Sequence, residues 1–437
     1  MIKHHSTGAQ LGLFSIVLLG INGIIGSGIF LLPNQAAALM GTAGIFSLVF
    51  DAALVVTIAL CFAQAATYYD EDGGPYLYAK DAFGGFVGFE VGFVTWAIQI
   101  IAEATMAVAF ATALGATFPA LHGLLAKNIT VTVLLGLMAL MNIAGVKVSK
   151  IVNNIVTLSK LIPLLLFVTI GIFFIRGGNF TPLFPQGHYT PGHFGAAAVT
   201  MFYAFAGFER VVVAAGDMKD PQKNLPQALL IMVGIVLGFY LLIQTVCTGV
   251  LGATTLGHST APIQAAFARF AGGFGNALVA AGTLLSTAGF LVASSYVTPR
   301  SGVALAEHGM MPAAIAKRNG KNAPYVAILI SISISVLIAW SGQFGYLAQI
   351  SAVSRFAQYI PTCLAVLVFQ HTRAAVPHAF RLPLGPVIPV VAIAVSVWLL
   401  CQVTRLQLVL GLGALVVAIP FYFLMTHRQA VAAKDLS

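Results

Sequence analysis

Long apolar runs separated by short polar or Gly/Pro-rich segments repeat along the whole chain. They fall near residues 12–39, 43–69, 84–115, 128–146, 150–175, 193–215, 226–252, 275–307, 324–341, 347–370, 386–404 and 406–427. A helix crosses a hydrocarbon core with roughly 20 apolar residues, so each run is about the length of one crossing. Backbone polar groups inside lipid must be satisfied within their own segment, which makes helices the expected form of every run. The pattern predicts an all-α membrane protein with twelve transmembrane helices.

Two runs are interrupted in the middle. The first carries NGIIGSG (Asn22–Gly28), and the sixth carries FAGFE (Phe205–Glu209). Gly23, Gly26 and Gly28 each weaken a helix by about 1 kcal/mol relative to alanine, so an unwound stretch is expected there. The interruptions lie five runs apart. Because five is odd, a repeat of that period is inverted across the membrane, and matched breaks in inverted repeats point to a transporter's substrate site. Close packing of helices through small residues accounts for the glycines equally well. The glutamate in the second break favours function, since an acid inside the membrane is costly.

Composition narrows the classes. Of 437 residues, 59% are hydrophobic and 8% charged, against roughly 25% charged in soluble proteins. An ordinary soluble enzyme is excluded, and little remains for a separate soluble domain. The formal charge of +9 suggests nucleic acid only until the charges are placed. With the N-terminus inside, Lys3, Lys80, Lys147, Lys150, Lys219, Lys223, Arg300, Lys317, Arg318, Lys321, Arg373, Arg381, Arg428 and Lys434 all fall on the cytoplasmic side. Only Lys127, Arg176, Arg269 and Arg405 fall outside. This bias predicts both termini cytoplasmic in a multi-pass plasma-membrane protein, with lipid rather than nucleic acid as its surroundings. Cys61, Cys247, Cys363 and Cys401 sit within apolar runs and read as small core residues, with no disulfide or thiolate metal site. The polar start MIKHHSTGAQ does not read as a cleaved leader. The histidines show no metal-ligand spacing, so neither metal nor cofactor is expected.

Breaking a helix at mid-membrane frees N–H groups on one side and carbonyls on the other. A zwitterion suits both. The N–H groups following Gly26, Ser27 and Gly28 suit a carboxylate, while carbonyls near Ile24 and from Tyr203 to Phe208 suit an ammonium. A free α-amino acid carries both charges on one carbon. Phe205 and Phe208 flank the second break and are candidates to cover the ligand, or simply to pack. Glu209, directly after the break, is the candidate for a gating or proton-sensitive group. Glu103 and Arg355 are read as a possible buried pair, while Asp51 and Glu90 are placed nearer an interface without a role.

The residues also carry a family resemblance. GINGIIGSGIFLLP (Gly20–Pro33), GGPYLYAKDAFG (Gly73–Gly84), VNNIVTLSKLIPL (Val152–Leu164), FYAFAGFE (Phe202–Glu209) and DMKDPQKNLP (Asp217–Pro226) resemble the amino acid–polyamine–organocation transporter superfamily. The chain is most similar to bacterial relatives of the L-type amino acid transporters. The resemblance implies a LeuT-like fold of five-plus-five inverted repeats, residues 12–175 and 193–370, with two additional helices in 386–427. It implies substrate contacts at Ile24, Gly26, Ser27, Gly28, Tyr203 and Ala206, with Phe205 and Phe208 beside the pocket and Phe208 and Glu209 as gate residues. Lys160 matches a lysine that in sodium-independent members resembles a replacement for a bound sodium ion.

Two departures matter. The loop near Gly115–Asn128 lacks the cysteine by which animal L-type chains attach a heavy subunit, so no disulfide-linked partner is expected. The acidic run Asp70–Asp72 replaces the proline and small polar residues of relatives and reads as a solvated turn. The function implied is sodium-independent transport, by exchange of neutral L-amino acids through alternating access. A proton-coupled amino acid importer is the nearest alternative, and a polyamine carrier, an intramembrane enzyme and a channel stand below it. No HExxH, GxSxG or phosphate-cradling motif supports an enzyme.

Overall fold

The computed structural model describes residues 12–69, 74–145, 150–213, 218–373 and 380–434. The polar start, the acidic run Asp70–Asp72, Lys147 and Asp217 lie outside the described residues. Among the described residues the chain is helical, with no strand. The first apolar run forms three helices end to end: α1 (Leu13–Ile24), α2 (Ser27–Leu31) and α3 (Pro33–Met40). A 3-10 turn at Gly41–Gly44 leads into α4 (Ile45–Ala66). Then come α5 (Pro75–Phe83), α6 (Gly85–Thr117), α7 (Leu124–Ile143) and α8 (Lys150–Gly171). The run beginning at 193 is again divided, into α9 (His193–Phe205) and α10 (Glu209–Val213). The remainder is α11 (Pro221–Leu251), α12 (Ala253–Gly257), α13 (Pro262–Glu307), α14 (Tyr325–Trp340), α15 (Phe344–Thr372), α16 (Val387–Leu400) and α17 (Arg405–Lys434).

Among the described residues, seven helical stretches are long and apolar enough to cross a membrane, and five further apolar helices are shorter. The protein is therefore an all-helical membrane protein. α1 and α9 belong to the shorter class because a break stops each of them.

Two elements differ from the hydropathy reading. α5 is a helix of 9 residues where only a polar connection was expected; at 1.5 Å per residue it reaches about 13 Å, too little to span. Pro75 starts it at a position that needs no N–H donor, and Gly84 ends it. α13 begins before its apolar run and bends at Gly272, whose φ is 57°.

Burial separates a core from a lipid-facing rim. In α6 and α15, 72% of the most apolar stretch is inside the protein, against 11% in α17. Two packed groups surround the centre. α1, α4, α9 and α11 form one, through the pairs α1–α11, α4–α11 and α4–α9. α6, α7, α13 and α14 form the other, through α6–α13, α7–α14, α6–α7, α13–α14, α6–α14 and α7–α13. α8 lies along α13, and α15 lies along α6 while touching α4 and α9.

Candidate functional site

The first break follows from its glycines. α1 closes normally, Ile25 N–H reaching Ile21 O at 2.9 Å, but Gly26 is fully extended (φ −139°, ψ −152°) and helix resumes only at Ser27. The carbonyls left over at such an end need donors. Lys160 of α8 supplies them: its Nζ donates to Asn22 O at 2.6 Å and to Ile25 O at 2.7 Å. Hydrogen bonds from a charged donor contribute roughly 1.5–3 kcal/mol each. A buried ammonium thus fastens the break to a different helix.

The second break uses another device. α9 stops at Phe205, Ala206 is extended, and Gly207 takes φ 116°, a conformation glycine adopts without penalty. Gly207 N–H donates back to Glu209 Oε2 at 2.9 Å. The same oxygen accepts from Tyr359 OH at 3.0 Å, and Oε1 pairs with Arg355 Nη1. Glu209 therefore holds its own break and ties it to α15.

The breaks also touch each other. A methyl on Gly23 would stand 3.3 Å from the Gly207 carbonyl, and one on Gly207 would strike the Gly23 carbonyl. Tyr240 of α11 links them from behind, its hydroxyl donating to Ala204 O at 2.9 Å and lying 3.5 Å from Ile24 O. Ser27 Oγ and Tyr203 OH are 3.2 Å apart, joining α2 to α9.

A cavity of about 100 Å³ opens where the breaks meet. Residues 22–28 form one wall, Tyr203, Ala206 and Gly207 a second. Ala102 and Met106 of α6, Ser286, Gly289, Phe290 and Ala293 of α13, Lys160 and Arg355 complete it. Of the residues singled out from sequence, Ile24, Gly26, Ser27, Gly28, Tyr203, Ala206 and Lys160 are brought together here. Phe205, Phe208 and Glu209 are not among the lining. Phe205 packs on Tyr240, and Phe208 on Phe62 and Tyr359, both fully buried.

The glycines divide by direction. A methyl on Gly28 would meet Ala204 Cα at 2.8 Å, so the space it spares is occupied by α9. At Gly26 the nearest side-chain atom would be Met106 Cε at 3.8 Å, ordinary contact beside the cavity.

Several charge assignments change. Arg355 pairs with Glu209, not with Glu103, because α15 lies against α9 and presents Arg355 to the second break. Glu103 instead approaches Ser335 of α14 at 3.4 Å. Asp51 is fully buried within the protein, and neither of its oxygens has a hydrogen-bond partner among the described residues. Glu90 is likewise buried without one. Cys401 is exposed, while the other three cysteines are buried. Arg355, Met106, Gly289, Phe290 and Ala293 were missed as cavity residues. Only the intramembrane charge of Arg355 was a signal for it; the others sit on helix faces that periodicity alone does not orient.

Comparison with known proteins agrees over nearly the whole length. The amino acid permease family matches residues 11–425. An uncharacterized transporter of Mycobacterium tuberculosis is 31% identical over 423 residues, covering 89% of this chain and 86% of the relative. The branched-chain amino acid permease BcaP of Bacillus subtilis is 26% identical over 438 residues, 96% of this chain and 94% of its own. The serine/threonine exchanger SteT of the same organism is 27% identical over 439 residues, covering 96% and 98%. These relatives are transporters, not enzymes, and the chain belongs to the amino acid permease family.

Proposed function

We propose that the protein is a sodium-independent exchanger of neutral L-amino acids that works by alternating access. The observation that carries this reading is the seat of Lys160. Its ammonium lies on two carbonyls of the first break, at 2.6 and 2.7 Å, where a mobile cation would otherwise balance the helix end. The amino acid's carboxylate is assigned to the backbone of Gly26–Gly28 with the Ser27 hydroxyl. Its ammonium is assigned to the carbonyls at Ile24 and Tyr203–Ala206. Phe208 and Glu209 act as gate residues by moving with the second break, not by lining the cavity.

The packing supports an inverted-repeat, twelve-span, LeuT-like arrangement. Exchanging each helix for the one five spans away turns the α4–α9 contact into α11–α1 and the α8–α13 contact into α15–α6. α16 and α17 then follow as the two additional helices, and both termini lie in the cytoplasm of a plasma-membrane protein. A disulfide-linked heavy subunit is not part of this reading. Exchange is also the activity named for SteT.

Uptake of labelled amino acid into proteoliposomes tests the proposal. Uptake should rise when unlabelled amino acid is inside, and sodium should make no difference; a sodium requirement would sink it. A proton-coupled importer is the second reading, favoured by Asp51 and Glu103, buried carboxylates without a salt bridge among the described residues. Uptake driven by a pH gradient into empty vesicles would select it.

A further inference from the structure

We propose that Arg300 forms a waiting site for the amino acid's carboxylate at the cytoplasmic mouth of the cavity, where substrate arriving from inside is held before it reaches the helix breaks. The inference rests on the proposed exchange and topology, and adds a binding residue that serves one face only.

Packing gives the direction in which the cavity opens. Beyond Gly26, α2 packs on α6, α9 and α13, and Ser27 Oγ meets Tyr203 OH at 3.2 Å. Before it, α1 leans on α10 and α11 instead. The way out therefore runs between α1 and the last turns of α13. Ser286, Gly289 and Ala293 of α13 line the cavity and pass from buried through half-buried to exposed. Arg300 follows seven residues after Ala293, and at 3.6 residues per turn all four positions fall within about 60° of one another around the helix. α13 stays helical throughout this stretch, its one non-helical residue being Gly272.

The cation leans toward the cavity. Side chains tilt toward the N-terminus of their helix, and Arg300 Nη1 donates to Tyr296 O, one turn nearer Ala293. Its guanidinium carbon stands 3.3 Å over the Tyr296 ring. These contacts hold the cation in place without neutralising it. Among the described residues no carboxylate pairs with Arg300, since Glu307, two turns farther on, is taken by Arg318 at 2.9 Å. Arg318 adds a second cation within electrostatic reach. A planar guanidinium matches a carboxylate in geometry as well as charge. A half-buried arginine without a counter-ion thus stands on the route to the N–H groups of Gly26–Gly28, to which the same carboxylate is assigned.

Right-side-out membrane vesicles, loaded with graded unlabelled amino acid and given labelled amino acid outside, separate the two faces. Arg300→Gln should raise the internal concentration for half-maximal exchange about three- to tenfold and leave the external one within about twofold. Arg300→Lys keeps the charge and should recover most of the loss. In the wild type, potassium chloride added inside should raise the internal value by screening the cation.

An unchanged internal value in Arg300→Gln would overturn the inference. An equal change on both faces would do the same, because Arg300 would then serve the fold or the surrounding lipid. Should Arg300→Gln fail to fold, the salt series decides: an internal value indifferent to internal salt overturns the waiting site. If internal amino acid does not stimulate uptake by the wild type, exchange itself fails and takes the inference with it, an outcome distinct from a missing inner-face effect.

Discussion

The two helix breaks are chemically alike in origin but are held in different ways. The first is fastened from outside its own segment, by a lysine on α8 that donates to the carbonyls of Asn22 and Ile25. The second is fastened by a residue of its own, Glu209, which accepts from Gly207 N–H and passes the attachment to Arg355 and Tyr359 of α15. The first thus presents a fixed positive charge to the cavity, and the second an internally balanced pair. A broken helix is therefore not a self-sufficient device. What it does depends on which charge completes it and on which neighbour carries that charge.

Removing one member of the buried pair should produce the largest effect. Glu209→Ala leaves Arg355 uncompensated and should cost about 3–5 kcal/mol, read as a fall in thermal midpoint in detergent. The double variant Glu209→Ala/Arg355→Ala should lose less than the sum of the single changes. Simple additivity would mean that the pair does not hold the second break. Lys160→Ala comes next, at about 3 kcal/mol, the low end for two charge-assisted hydrogen bonds because Asn22 and Ile25 border the cavity and their carbonyls can regain water. Its fall in thermal midpoint should be the smaller of the two while uptake into proteoliposomes is lost; normal uptake would remove the special status of the first break.

The glycines sharpen the contrast further. Gly28→Ala should cost about 1–3 kcal/mol by overpacking against Ala204, visible in thermal melting. Gly26→Ala should leave the melting curve nearly unchanged and weaken substrate protection. The reverse order would mean that the cavity lies on the other face of the turn. Of the changes that lower the midpoint, Tyr359→Phe should have the smallest effect, about 0.5–1.5 kcal/mol. A larger loss than that of Lys160→Ala would place the weight of the second break on the tyrosine, not on the ion pair.

The breaks were readable in the chain because three glycines fall within six residues of one apolar run and an acid sits in the middle of the other, and helix ends at Ile24 and Phe205 accord with that reading. The direction of each glycine was not. Sequence reports that Gly28 has no side chain, but only the placement of Ala204 shows which neighbour uses the space. Pairing across helices was hidden for the same reason: Glu209 and Arg355 are 146 positions apart, and which intramembrane charge meets which depends on helix rotation. The aromatic residues Phe205 and Phe208 flank the break in sequence, yet alternate positions on a terminating helix point to different neighbours, here Tyr240 and Phe62. α5 escaped because a helix of 9 residues produces no membrane-length run.

Lys160 has an energetic consequence. An ion that binds and leaves on each cycle carries the free energy of its gradient into the transported solute. An ammonium on a side chain never leaves: it travels with the protein in both directions and returns to where it began. Charge at the first break is thereby balanced without a thermodynamic driving force. On the exchange reading proposed above, any accumulation of solute is powered by a second solute that crosses the opposite way and is released.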